Sequence, residues 1–116
     1  GQMFRLYNAA FKRFPDPGGL QYWIEKFSAG ENSLRVVSKS FLISDEFNQL
    51  YGDDITHETF VKNLYLNVLD RELDQSGYDY WVGNLNNGVE QRHEVLLGFA
   101  ESAENKALFT EMTGLG

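Results

Sequence analysis

Apolar residues recur at helical spacing along the whole chain. Phe4, Tyr7 and Phe11 fall at i, i+3 and i+7, and Leu6 and Ala10 widen the same face. This predicts a first helix that ends near Phe14, where Pro15 and Pro17 block continuation. Asp16 is placed to cap a second helix and Pro17 suits its first position. That helix carries Leu20, Trp23, Ile24 and Phe27 on one face, with Gly30 as its left-handed stop. Ser33 caps a third helix with Leu34, Val37 and Phe41 turned inward. Ser44 caps a short fourth helix, 45–51, whose early Asp45 and Glu46 suit the helix dipole. Gly52, Asp53 and Asp54 form a linker. Four more helices follow at about 57–71, 75–86, 91–100 and 103–112 by the same periodicity. No run of alternating strand residues occurs, so the expected fold class is an all-α helical bundle of two four-helix units.

The plan of the second half copies the first. Shifting the chain by 58 residues aligns 6–51 with 64–109 without a gap, and thirteen of the 46 positions are identical. Average composition gives roughly three by chance. Among the identities are Tyr7/Tyr65, Arg13/Arg71, Asp16/Asp74, Tyr22/Tyr80, Trp23/Trp81, Ser44/Ser102 and Glu46/Glu104. The chain is therefore read as a two-unit array. Trp23 and Trp81 are expected to anchor the core of their own units. With Leu20 at zero on a helical wheel, Trp23, Ile24 and Phe27 lie within about 60°, whereas Tyr22 lies about 200° away. Tyr80 stands opposite the second stripe in the same way. An off-face tyrosine occurring twice has two readings. Either the second helix of each unit is packed on both sides, or the tyrosines form a stacking platform for a flat ligand such as a sugar.

Composition narrows the chemistry. Ten basic residues stand against seventeen acidic ones, a net charge of −7, which argues against a nucleic-acid partner. There is no cysteine, which excludes disulfides and thiolate metal sites. No run of about 18 apolar residues exists to span a membrane, and no signal peptide stands at the start. Asp70, Glu72 and Asp74 superficially match the start of a calcium loop, but Gln75 stands where its glycine belongs and Trp81 where its last carboxylate belongs. His57 and His93 have no ligand spacing and no nucleophile motif beside them, and both are expected on helix surfaces. No metal, cofactor or catalytic residue is assigned, and no enzymatic activity is expected. The recurring Arg13/Asp16 and Arg71/Asp74 are read as helix-end staples, in which the aspartate caps and pairs with the arginine. Their loops also offer hydrogen bonds to a sugar, so Arg13, Asp16, Tyr22, Arg71, Asp74 and Tyr80 are the candidate binding residues.

The repeated unit resembles the bacterial domain of unknown function 4214. That family shows an R-x-P-D-x-x-G-L-x-Y-W core, carried here by Arg13, Pro15, Asp16, Gly19, Leu20, Tyr22 and Trp23, and a later S-x-E-F element, carried by Ser44, Glu46 and Phe47. The second copy departs at Leu73, Tyr78 and Asn105, which weakens the case for a site there. The resemblance implies an accessory module of a larger secreted or cell-surface protein, of the kind found beside calcium-binding nonapeptide repeats and in surface-layer proteins. A surface polysaccharide or another protein is the implied partner. The unit is also similar to part of the helical linkers of cyanobacterial light-harvesting antennae, which implies a purely structural assembly role as the alternative.

A unit of about 50 residues rarely buries enough core to stand alone. The two repeats, about 1–52 and 57–112, are thus expected to fold as one domain over 1–116. A fragment of residues 1–54 is expected to show no cooperative urea transition as a monomer. A sigmoidal transition independent of protein concentration would show that one unit is self-sufficient.

Overall fold

The computed structural model describes residues 2–28 and 33–114. Among these the chain is all helical: α1 (Gln2–Phe11), α2 (Pro17–Ser28), α3 (Leu34–Leu42), α4 (Asp45–Tyr51), α5 (His57–Val68), α6 (Gln75–Asn86), α7 (Arg92–Ala100) and α8 (Ala103–Thr113). The fold is an all-α bundle in which α1–α4 and α5–α8 occupy equivalent stretches of the two repeats. Gly30 and the Phe27 side chain, assigned to a helix stop and an inward stripe, lie outside the described residues.

Short polar side chains start most of these helices. The Ser33, Ser44, Thr56 and Ser102 hydroxyls accept the backbone N–H groups of Val36, Phe47, Thr59 and Asn105 at 3.1–3.3 Å. Asp16 and Asp74 accept Gly19 and Gly77 N–H at 2.7 and 2.9 Å. Ser44 and Ser102 do double duty. Each also donates to the last turn of the preceding helix, at Phe41 O (2.7 Å) and Phe99 O (2.8 Å), so one hydroxyl fixes each corner.

The first helix of each unit is shorter than its hydrophobic pattern implies. α1 ends at Phe11, three residues before Phe14, and α5 ends at Val68, not at Arg71. The terminator is not the proline. Lys12 and Asp70, equivalent in the repeat, adopt left-handed backbone at φ 57° and 54°, and the chain turns there. Pro15 therefore only meets a helix that has already stopped, which is why its replacement by Leu73 in the second copy leaves the corner intact.

One apolar cluster draws buried residues from both units, among them Leu6, Phe41, Phe60, Leu64 and Leu96. The units meet most extensively where α3 lies on its equivalent α7, and also where α1 packs on α7 and on its own equivalent α5. Two of these three pairs set a helix against its own counterpart, as in a two-fold dimer, whereas the α1–α7 packing has no equally extensive α3–α5 mate. At the α3–α7 seam Arg35 and His93, also repeat equivalents, touch each other. The Arg35 Nε–H donates to His93 Nε2 at 3.3 Å. His93 is only 4% exposed, which corrects its expected surface position. Its side chain faces the other unit, a direction that the periodicity of one helix does not reveal.

This placement makes His93 acid-sensitive. Burial pushes its pKa below the usual histidine value, and Arg35 and Lys39 push the same way against Glu94. Because Nε2 accepts a hydrogen bond, the ring is neutral in the folded protein. The unfolded chain then binds the additional proton first, and stability falls as pH drops below about 6.5. Urea denaturation at pH 7.5 and pH 5.5 is expected to give a lower midpoint at the acid pH. His93→Gln, which keeps an acceptor for Arg35, is expected to flatten that difference; an unchanged difference would assign it to other groups.

Candidate functional site

The recurring arginines each sit at the centre of a small polar cluster. Arg13 grips Glu46 at the start of α4 with two parallel hydrogen bonds, Nε to Oε2 at 2.8 Å and Nη2 to Oε1 at 2.9 Å. Arg71 grips Glu104 at the start of α8 in the same fork, at 2.7 and 3.0 Å. Each guanidinium also donates to the carbonyl of the next residue, Phe14 O or Glu72 O. Its flat face covers a tyrosine ring of the preceding helix, Tyr7 at 5.1 Å or Tyr65 at 5.0 Å. The corner after α1 is thereby tied to α4, and the corner after α5 to α8.

Electrostatics follow the geometry. The forked carboxylates raise both arginine pKa values further above their already high value. Glu104 titrates below the usual glutamate range, chiefly because Arg71 donates to it. Asp74 is also lowered, first by the Gly77 N–H it caps and then by Arg71, whose Nη2 reaches it at 3.2 Å. Tyr65 and Tyr7 are raised, mainly by burial. Tyr65 also donates to Asp74, and its hydroxyl packs so closely on Gly77 that a Cβ there collides with it.

Of the six candidate residues, Arg13, Asp16, Arg71 and Asp74 sit in these corners. The guanidinium forks are spent on Glu46 and Glu104, and both aspartates are spent as helix caps. The tyrosine each arginine covers is Tyr7 or Tyr65, not Tyr22 or Tyr80. Tyr7, Tyr65, Glu46 and Glu104 thus belong to the clusters, although spacing alone assigned the tyrosines to the core and the glutamates to helix starts. The signal that finds them is the repeat itself, because all four recur in register.

Tyr22 and Tyr80 stand elsewhere on α2 and α6. They are 52% and 60% exposed, so the reading in which these helices are packed on both faces fails. Each ring leans edge-on against the adjacent indole: Tyr22 on Trp23 at 5.0 Å and 83°, Tyr80 on Trp81 at 5.0 Å and 74°. The indoles are only partly buried and rest on Phe41 at 5.1 Å and Phe99 at 5.3 Å. They work as props between core and surface more than as core anchors. Gly98 leaves room for the second one, since a Cβ there would lie 3.0 Å from the Trp81 ring. Beside it a cleft of about 170 Å³ is lined by Tyr65, Arg71, Trp81 and Glu104. Among the described residues no three histidine or carboxylate side chains gather as a metal-binding group, and no helix is long and apolar enough to cross a membrane.

Residues 38–109, 72 of the 116, match the family described as Domain of unknown function (DUF4214), and the chain belongs to that family. The match runs from α3 to α8. It contains the whole second arginine cluster and, of the first, only Glu46. No curated protein and no solved structure matches the chain.

Both arginine forks are about two-fifths exposed, so solvent screens much of their attraction. A double-mutant cycle of Arg71→Ala and Glu104→Ala is expected to give a coupling of about 0.5–1 kcal/mol that shrinks at high salt. A coupling of zero would leave the fork without energetic content.

Proposed function

We propose that this chain is a non-catalytic interaction module of a larger secreted or cell-surface bacterial protein, and that it engages surface polysaccharide through the exposed faces of α2 and α6. The observation that carries this reading is the twice-repeated aromatic pair. Tyr22 and Tyr80 lie open to solvent in equivalent positions, each propped edge-on by a tryptophan that is itself fixed against a core phenylalanine. A ring held from behind keeps its orientation without a ligand, which lowers the cost of stacking a sugar on it. A tyrosine serving only the core has no reason to be half exposed in both copies. The arginine corners support the reading indirectly: they fix the loops from which α2 and α6 start.

A second reading is assembly with another protein, as in helical linker modules. It is favoured by Val36 and Ile43, which lie one heptad apart near the outer side of α3 and are 44% and 77% exposed.

A glycan and bacterial-polysaccharide array separates the two. The wild type is expected to bind at least one bacterial polysaccharide. Tyr22→Ala and Tyr80→Ala, each folded by circular dichroism, are expected to weaken binding about tenfold. Silence of the wild type across the array would rule out the polysaccharide reading and leave protein assembly.

A further inference from the structure

A groove of about 470 Å³ opens between α1, α5 and α8, and neither Tyr22 nor Tyr80 lines it. It arises from a difference between the two copies. In the first, Phe47 stacks flat on Tyr51, with ring centres 4.0 Å apart and planes 7° apart, and both rings are buried. The Tyr51 hydroxyl reaches the Ala9 carbonyl at 3.4 Å, so aromatic side chains fill the angle between α4 and α1. In the second copy the equivalent residues are Asn105 and Phe109. Asn105 cannot continue a ring stack. It turns back and donates to Ala100 O at 2.7 Å, while Phe109 packs against Phe4 and Phe14 at 5.6 and 6.3 Å. Where one side holds a phenyl ring, the other side holds the groove.

The same substitutions make its wall polar. Asn105 stands for Phe47 and Asn67 for Ala9, and with Asn8 they line the groove with three carboxamides. Two of these are held by the protein: Asn105 by Ala100 O and Asn67 by the Tyr51 hydroxyl. Lys12 and Asp70, the left-handed residues that end α1 and α5, also line it. Glycine takes that backbone without strain. The chain instead keeps two charged side chains of opposite sign there. Leu108 and Met112 supply an apolar wall.

We propose that this groove is a binding site for a single uncharged sugar residue, independent of the tyrosine faces. Carboxamides donate and accept at once, as sugar hydroxyls do. The apolar wall suits the C–H face of a pyranose ring. Among the charged lining residues Lys12 is outnumbered by Asp70 and Glu111, and the chain carries −7 overall, which disfavours phosphates and other anions. The volume lies within the range of about 300–1,000 Å³ typical of small-ligand sites.

The probes are the methyl glycosides of glucose, galactose, mannose and N-acetylglucosamine, each titrated into ¹⁵N-labelled protein to about 20 mM, enough to register a dissociation constant near 1 mM. At least one is expected to shift the side-chain amide signals of Asn8, Asn67 and Asn105 saturably. Asn105→Phe, which restores the residue of the first copy, is expected to abolish those shifts. Should that variant misfold, Asp70→Gly serves instead: glycine suits the backbone there, so the fold survives and binding is expected to weaken about tenfold. Tyr22→Ala and Tyr80→Ala are expected to leave the shifts unchanged, which separates this site from the polysaccharide faces. Absence of saturable shifts from every probe, or binding undiminished in Asp70→Gly and in folded Asn105→Phe, would overturn the proposal.

Discussion

The seam where α3 lies on α7 is the most extensive helix contact in the fold, and it joins two units of about fifty residues into one apolar core. Val37, Val95 and Leu96 on these helices are fully buried, as is Ser38. The polar contact that closes the seam, Arg35 to His93, is made by a residue and its own counterpart. A position that meets its own counterpart is what the axis of a two-fold pair produces, and at this seam the two units approach that relation. The single core, the relative placement of α2 and α6, and the groove between α1, α5 and α8 all follow from that one packing.

The arginine clusters act at a different level. A fork exposed to water adds little stability, yet its geometry is reproduced in both copies to within about 0.1 Å at each matched bond. Its effect is orientation. A guanidinium that lies on one ring, forks one carboxylate and caps one carbonyl leaves the loop after α1 or α5 a single path. That path delivers Asp16 and Asp74 to the starts of α2 and α6, and so sets the face on which Tyr22 and Tyr80 emerge. Arg13, Asp16, Arg71 and Asp74 thus act as the frame that positions α2 and α6, and Arg71 also lines the cleft beside Trp81.

Much of the fold was legible in the sequence because the hydrophobic period, the serine and aspartate caps and the 58-residue repeat all point the same way. The helix count and the cap residues could be read directly. Three features could not. The early ends of α1 and α5 depend on Lys12 and Asp70 in left-handed backbone, which no lysine signals. The burial of His93 depends on the partner unit, which a helical wheel does not contain. The wheel placed Tyr22 and Tyr80 off the inward face but could not say whether anything covers that side. The repeat did hold part of the answer, since Tyr7 recurs as Tyr65 and Glu46 as Glu104, and Arg35 aligns with His93.

The stack of Phe47 on Tyr51 and the open angle at Asn105 have a consequence for how such a molecule can change. In a symmetric homodimer every substitution is written twice, so a vacancy opened on one side opens on the other, and the cavity cost is doubled. A covalent pair escapes that rule. Here one half keeps its aromatic filling and bears the packing, while the other gives up a ring without the whole bundle losing two. Joining the halves through Gly52, Asp53 and Asp54 frees each to differ, with the ring-filled copy bearing the packing beside the open one.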